Sequence, residues 1–410
     1  MKFKVSIAFF CLFAFLSVFA QKPIKDLEPT VILVSLDGFR TDYLEKYKPP
    51  TLLEIARKGV QAKFLVPVFP TKTFPNHYSI ATGLYPEHHG IVENNIYDFG
   101  VVFTIGNRQE VQNGRWWLGE PIWVTAEKQG KRTAAFFFPG TEAEIRGIRP
   151  TFWKEYDAKI PYEERVRTIL SWLDLPKKER PQLLILYFDE PDTSGHECGP
   201  DSECVASAIK KVDEQIKNLI EGLKARRVFG KVNLIIVSDH GMATVKPENA
   251  VFLDGYFDPN LAERIIWTGE IVQIFPKEGQ EDFIAEKLKG AEHANCWKKE
   301  QIPERFRYRA SWRIAPIVCL AQEGWYLTSR ERYEERRKSL DFRTIRGAHG
   351  YDNQLESMRA IFIAYGEAFK RKKVVEPFVN VDIYNIIARV LNLSAAENDG
   401  NLETVKRVLK

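Results

Sequence analysis

Three short runs along the chain are almost wholly apolar: Val31 to Leu36, broken only by Ser35, Leu183 to Phe188, and Val232 to Val237, broken only by Asn233. Runs of this length, rich in Val, Ile and Leu, read as strands buried on both faces, as in a mostly parallel sheet. Each passes directly into polar residues: Asp37-Gly38, Asp189-Glu190-Pro191-Asp192 and Ser238-Asp239-His240-Gly241. Thr133 to Phe138 predicts a further strand, and Met358 to Ala364 a late one. The segments between them predict helices at Thr51 to Lys58, Ile122 to Lys128, Pro161 to Leu173, Ala206 to Leu223 and Val381 to Leu391. Strands alternating with helices predict an α/β fold, with a central mixed but mostly parallel sheet and helices on both faces. From Ile265 to Ala321 the pattern changes. Ile271 to Phe275 reads as a strand, Glu281 to Leu288 as a helix, and Tyr308 to Leu320 holds further strand-like runs. This predicts a small α+β insertion, about residues 260–340, which returns to the main sheet before His349.

Met1 to Ala20 follows neither period. Lys2 and Lys4 precede an apolar run from Val5 to Phe19, and Val18-Phe19-Ala20 offers a cut before Gln21. The run is short for a membrane span, so it reads as a secretory signal peptide, with a retained anchor as the alternative. Residues 21–410 are then one large catalytic-size domain, secreted or periplasmic, with no membrane span after signal removal. The chain has five Cys, and Cys11 leaves with the leader. The remaining four lie in an exported chain, where disulfides are expected. Three pairings are possible. The local pairs Cys198–Cys204 and Cys296–Cys319 are favoured, with free thiols as the competitor.

Charge excludes more than it assigns. A formal net charge of +4 over 410 residues gives no argument for a nucleic-acid surface. The basic cluster Arg330 to Lys338 is interleaved with Glu331, Glu334 and Glu335, the mark of a solvated helix face.

The chemistry gathers around Pro70 to Asp98. Thr71 and Thr73 precede Pro75, which is favoured in a first helical turn, and a hydroxyl just before it suits the N-cap region. Tyr78, Ile80 and Ala81 supply an apolar face, and Gly83 ends the helix. Thr73 is read as a nucleophile at the mouth of this helix, where free N–H groups favour an anionic phosphate. An ordinary capped helix would carry the same pattern.

The chain has only seven His. His196, His240 and His349 each sit beside a Gly in a loop, whereas core His more often sit on apolar faces. Asp192 and His196, four apart with Gly195 between them, predict a turn that converges on one ion. Taken one at a time, each His is as well explained structurally. With Asp37, Asp192 and Asp239 at or near strand ends, the set points to a dinuclear site, and its ligand types suit two Zn²⁺. His77, His88 and His89 are assigned no metal role, and His293 reads as a surface residue.

Four motifs carry a resemblance: Thr71-Lys72-Thr73-Phe74-Pro75-Asn76, Glu190-Pro191-Asp192-Thr193-Ser194-Gly195-His196, Ser238-Asp239-His240-Gly241-Met242 and Gly347-Ala348-His349-Gly350-Tyr351-Asp352-Asn353. Together they resemble the nucleotide pyrophosphatase/phosphodiesterase family of the alkaline phosphatase superfamily, from about Thr30 to Leu393. The resemblance implies an alkaline phosphatase-like fold. It assigns one zinc to Asp192, His196 and His349, and the other to Asp37, Asp239, His240 and the Thr73 oxygen. It implies in-line attack by Thr73, a phospho-threonine intermediate, and Asn94 as a donor to a non-bridging oxygen. Asn94 also reads as a plain turn residue beside Asn95. Phe74 and Tyr156 match residues that stack on a nucleobase; Phe138 and Tyr187 match the pocket wall, or serve as core residues at strand ends. One departure concerns the base: nucleotide-preferring members often carry a Lys within the segment that here reads Thr104 to Val111, where Arg108 lies nearby. The expected substrate is a nucleotide or another small phosphodiester. Hydrolysis of a lysophospholipid or choline phosphodiester, or of a phosphomonoester or phosphonate, remains open, as does an idle extracellular binding module.

Overall fold

The three apolar runs become neighbours at the centre of an eight-stranded sheet. Val31–Leu36 lies between Leu183–Phe188 and Asn233–Val237, parallel to both. The computed structural model describes residues 22–338 and 347–410, so the leader lies outside the described residues. The strand order is Lys373–Val375, Val60–Ala62, Phe362–Tyr365, Asn233–Val237, Val31–Leu36, Leu183–Phe188, Thr133–Phe136, Phe152–Lys154. Phe362–Tyr365 alone runs antiparallel to its neighbours among the described residues.

Alternation sends side chains to two cores. Val31, Leu33, Leu183, Ile185, Ile235 and Val237 enter one apolar cluster, while Ile32, Val34, Leu184, Leu186, Leu234 and Ile236 enter the other. Helices Thr73–Thr82, Ile122–Lys128 and Asp382–Val390 contribute to the first cluster; Pro50–Lys58, Tyr162–Leu173 and Glu203–Ala225 contribute to the second. Each Val, Leu or Ile so buried contributes about 1.5–3 kcal/mol relative to exposure. The sheet is thereby closed to water on both sides, and its polar chemistry is confined to the strand ends.

Two strands differ from the sequence pattern. The strand predicted to reach Phe138 stops at Phe136, because Phe137 and Phe138 take positive φ, 66° and 132°. The turn swings Phe138 out of the sheet. The late strand begins at Phe362 rather than Met358. Met358 sits in a 3₁₀ turn whose carbonyl accepts from Gly241 N–H, and Ala360 exchanges backbone hydrogen bonds with Leu65 instead.

A second, antiparallel sheet has the order Ala262–Trp267, Ile271–Pro276, Ile317–Ala321, Ala294–Lys298. It shares a separate apolar cluster with helix Glu281–Leu288. Tyr308, predicted to begin a strand-like run, is instead a buried non-strand residue whose hydroxyl donates to the Val92 carbonyl. Cys296 and Cys319 are cross-strand partners in this sheet and form a disulfide. A second disulfide, Cys198–Cys204, ties helix Asp192–Cys198 to helix Glu203–Ala225. No helix among the described residues is long and apolar enough to cross a membrane.

Candidate active site

The helix bearing Thr73 starts one residue earlier than a hydroxyl cap would require. Thr73 is its first residue, Lys72 holds the N-cap position, and no side chain caps it. The Thr73 hydroxyl is therefore spent on no cap, and Oγ1 lies 3.3 Å from His240 Nε2. Thr71 is used differently: its hydroxyl donates to the Tyr351 carbonyl at 3.0 Å and accepts from Gly350 N–H at 2.9 Å. Asn76 braces the loop, accepting from Val68 N–H and donating to the Pro70 and Lys72 carbonyls.

The three sequence-selected histidines share one arrangement. Nδ1 of His196, His240 and His349 donates to the carbonyls of Gly347, Gly241 and Thr71, at 2.9, 2.9 and 2.8 Å. This arrangement turns each Nε2 toward the carboxylates, where a neutral ring offers its lone pair as metal-ligating histidines do. Burial opposes charge on His240, but Asp239 outweighs it and raises its pKa. His196 Nε2 and His349 Nε2 lie 3.5 and 3.6 Å from Asp192 Oδ1. His240 Nε2 lies 3.0 Å from Asp239 Oδ2 and 3.5 Å from Asp37 Oδ1. The His240 and His349 rings stack with centroids 3.6 Å apart, so the two groups adjoin.

The carboxylates supply the matching observation. Asp37 Oδ1, Asp192 Oδ1 and Asp239 Oδ2 are buried without a hydrogen-bond partner. Their other contacts are fixed: Asp37 Oδ2 accepts from Tyr187 OH at 2.5 Å, and Asp239 Oδ1 from Gly38 N–H at 3.1 Å. Gly38 is required by the close approach of two loops. Its φ is +65°, and an added Cβ would meet Asp192 Cα at 2.9 Å. Orphaned buried carboxylate oxygens facing free imidazole lone pairs fit divalent cations.

Electrostatics point the same way. Burial, reinforced by Asp239 and Asp192, raises the Asp37 carboxyl well above its ordinary range. Burial also disfavours charge on Asp239, but His240 and His77 outweigh it and hold that carboxyl well below the ordinary range. Burial and the neighbouring His240, His196 and Lys72 hold His349 neutral. Carboxylates crowded out of water repel one another, and a cation between them removes that cost.

Asp37, His77 and Asp239 also bring one potential ligand atom each within 4.8 Å of one another, as do Asp192, His240 and His349. His77 is nonetheless a support. Its Nε2 is engaged by Ser35 Oγ at 2.8 Å, and its Nδ1 by the Thr73 carbonyl at 2.9 Å and Asp239 Oδ2 at 3.2 Å. Helix Asp192–Cys198 corrects the turn expected there: the i and i+4 positions put Asp192 and His196 on one helical face.

Two cavities border this centre. One, of about 380 Å³, is lined by Asp37, Thr73 and Asp192 together with Phe74, Phe138, Tyr156 and Tyr187. Phe74 is half-buried against Phe103 and Trp117, and Tyr156 is 37% exposed. Phe138 packs edge-on against His77, so it is as much a brace as a wall. The second cavity, of about 260 Å³, is lined by His196, His349, Asn94, Lys72 and Glu270 among others. Asn94 Oδ1 accepts from Phe74 N–H at 2.9 Å, which turns its amide donors away from that bond.

Residues 31–352 match the profile of the family described as Type I phosphodiesterase / nucleotide pyrophosphatase. The chain belongs to this family. Venom phosphodiesterase CdcPDE of Crotalus durissus collilineatus is 38% identical over 403 residues, covering 95% of this chain and 47% of the relative. Ectonucleotide pyrophosphatase/phosphodiesterase family member 3 of Rattus norvegicus is 37% identical over 397 residues, covering 93% and 44%. The chain thus spans about half the length of the curated relatives it matches. Murine ectonucleotide pyrophosphatase/phosphodiesterase 5 shares the fold with a TM-score of 0.86 at 36% identity, over 93% of this chain and 100% of that one. An inactive form of that murine protein, in complex with AMP, matches at 35% identity with the same TM-score. The mixed sheet described above is the alkaline phosphatase-like sheet of this family.

Within this family member, several site residues had no mark in the sequence pattern. Lys72 is buried in the second cavity, with its ammonium 2.5 Å from Glu270 Oε2. Glu270 lies in the turn between strands Ala262–Trp267 and Ile271–Pro276 of the second sheet, and only the tertiary fold brings it here. His77 carried a usable signal: it lies four residues after Thr73, on the same helical face.

Proposed function

We propose that this chain is an exported two-zinc phosphodiesterase that cleaves nucleotide phosphodiester and phosphoanhydride bonds to nucleoside 5′-monophosphates. The observation that carries the reading is the unspent Thr73 hydroxyl, 3.3 Å from His240 Nε2, on the wall of an aromatic-lined cavity. The AMP complex of the murine relative supports a nucleotide as substrate. The two disulfides and the leader-like sequence of Met1 to Ala20 support export.

Asp192, His196 and His349 would hold one zinc; Asp37, Asp239 and His240, with Thr73, would hold the other. Zinc bound there supplies Lewis acidity, which activates a hydroxyl and offsets charge on departing and non-bridging oxygens. The chain's own residues do the rest. Thr73 Oγ1 forms a bond to phosphorus as the bond to the leaving oxygen breaks, giving a phospho-threonine. Water then cleaves that ester, releases the nucleoside monophosphate and restores the hydroxyl. Asn94, held by Phe74 N–H, donates to a non-bridging oxygen beside the Thr73 backbone N–H at the helix start. Phe74 and Tyr156 take the base, with Phe138 and Tyr187 along the wall. In-line displacement sends the leaving group away from Thr73, toward the cavity lined by His196 and His349.

The test is a substrate panel on zinc-loaded protein: ATP, p-nitrophenyl TMP, p-nitrophenyl phosphate and glycerophosphocholine. The expected order places both nucleotides first, with p-nitrophenyl TMP over p-nitrophenyl phosphate by at least about 10³ in kcat/KM, or ~4 kcal/mol. Chelation should abolish turnover and zinc restore it. A better rate on the monoester or the choline ester overturns the nucleotide assignment, and full activity in metal-free protein overturns the zinc assignment.

A further inference from the structure

The polar groups lining the larger cavity include two sets, with Asp189, Thr193, Tyr156 and Tyr187 beside them. Asp37, Thr73 and Asp192 belong to the proposed metal centre. Arg108 and Glu142 do not: they come from a short helix, Arg108–Val111, and from a loop after strand Thr133–Phe136. Ile105, Val111 and Pro139 lie beside them on the cavity wall, so this part is apolar except for the Arg108–Glu142 pair. Arg108 lies close enough to Tyr156 to act on its hydroxyl electrostatically.

The pair is unequal in what it has left to offer. Glu142 is 4% exposed and already holds three donors. Its Oε1 accepts from Tyr156 N–H at 3.0 Å; its Oε2 accepts from Gln112 Nε2 at 3.3 Å and from Arg108 Nη2. Arg108 spends only Nη2 there. Its Nε is buried, 3.8 Å from Glu155 Oε1, and so is closed to a ligand; Nη1 has no hydrogen-bond partner among the described residues, and the side chain is 34% exposed. Glu142 thus works as a clamp that fixes Arg108, while the guanidinium keeps N–H donors in hand. A fixed guanidinium is a fork suited to two acceptors on one base edge.

We infer that Arg108 selects the base, and that it favours bases carrying a carbonyl on the edge they present, guanine and uracil, over the amino bases adenine and cytosine. Guanine offers O6 and N7 together, and uracil offers O4. Adenine and cytosine present an exocyclic amino group at the corresponding position. That group brings a donor against a donor. The inference rests on the nucleotide reading above and adds to it a choice among nucleotides.

The experiment measures kcat/KM for GTP, UTP, ATP and CTP, by chromatographic release of the monophosphate, on wild type, Arg108→Ala and Arg108→Lys. Wild type is expected to favour GTP over ATP, and UTP over CTP, each by about tenfold. Arg108→Ala should bring each of those ratios within about threefold of one, and Arg108→Lys should restore part of it. Ratios within one preparation cancel any loss of folded protein, so a variant that is merely unstable keeps the wild-type ranking. A wild type that prefers or equals ATP and CTP overturns the inference, as does a ranking unchanged in Arg108→Ala. Hydrolysis of none of the four by a wild type active on bis-p-nitrophenyl phosphate removes the nucleotide reading itself. Turnover without ranking removes only the choice of base.

Discussion

The metal-type centre and the aromatic cavity beside it are built by opposite means. In the centre, every imidazole is anchored by a backbone carbonyl, and the carboxylates sit at the ends of buried parallel strands or on the short helix after one of them. In the cavity, Phe74 and Tyr156 are half-buried or exposed, and Arg108 sits on a short helix following a two-stranded hairpin. The first is held by the same hydrogen bonds that hold the fold. The second borrows Phe74 and Tyr187 from that framework, but its Tyr156 and Arg108 sit on segments that can change without disturbing the sheet. Chemistry is therefore tied to stability in this molecule, and substrate choice is largely released from it.

That contrast can be broken at its strong end first. Thr73→Ala should lower kcat by at least about 10⁴-fold while zinc content and the unfolding midpoint stay near wild type. Residual turnover within about tenfold of wild type, ~1.4 kcal/mol, would remove Thr73 from the reaction. Glu270→Ala should be the costliest change to stability, because it strands the buried Lys72 ammonium now 2.5 Å from the carboxylate. The expected loss is about 3–5 kcal/mol in urea unfolding, and a loss below about 1 kcal/mol would show that Lys72 finds another partner. Asn94→Ala should cost about 10²–10³-fold in kcat, roughly 2.7–4 kcal/mol, with little change in KM. A change confined to KM would place Asn94 in ground-state binding. Phe74→Ala should be mildest, about 1–3 kcal/mol in kcat/KM for nucleotides, mostly through KM. An equal loss on bis-p-nitrophenyl phosphate would mean that Phe74 supports the helix start rather than the base.

The same contrast explains what was legible. Asp37 and Asp239 could be placed from sequence because a mostly apolar strand ends where the chain turns polar, and parallel strands share that edge. The turn expected around Asp192 and His196 is a helix because Gly195 packs where an added Cβ would meet Met242 Cε at 3.0 Å. That contact is tertiary and leaves no trace in local propensity. Phe138 was read as the end of a strand; its positive φ has no sequence mark in a non-glycine residue. Tyr187 was read as a pocket wall or a core residue at a strand end; it lies in buried strand Leu183–Phe188 and also lines the cavity. Its hydrogen bond to Asp37 follows from the pairing Ser35↔Tyr187, which only the assembled sheet reveals. Glu142 and Glu270 owe their places to loop and sheet packing, beyond the reach of any spacing rule.

Phe362–Tyr365 lies between Val60–Ala62 and Asn233–Val237, and the other neighbour of Val60–Ala62 is Lys373–Val375. An early strand is thus left without either partner until the chain's last quarter has been made. His349 arrives in the same late portion and docks on Thr71, two residues before Thr73. A chain that emerges amino end first carries Asp37, Thr73, Asp192, His196, Asp239 and His240 for most of its synthesis without the residue that closes the set. Long-range closure of this kind is slow. It sets an order of events in which the proposed cation cage is the last part of the molecule to close, so capture of an ion there would fall at the end of folding rather than at its beginning.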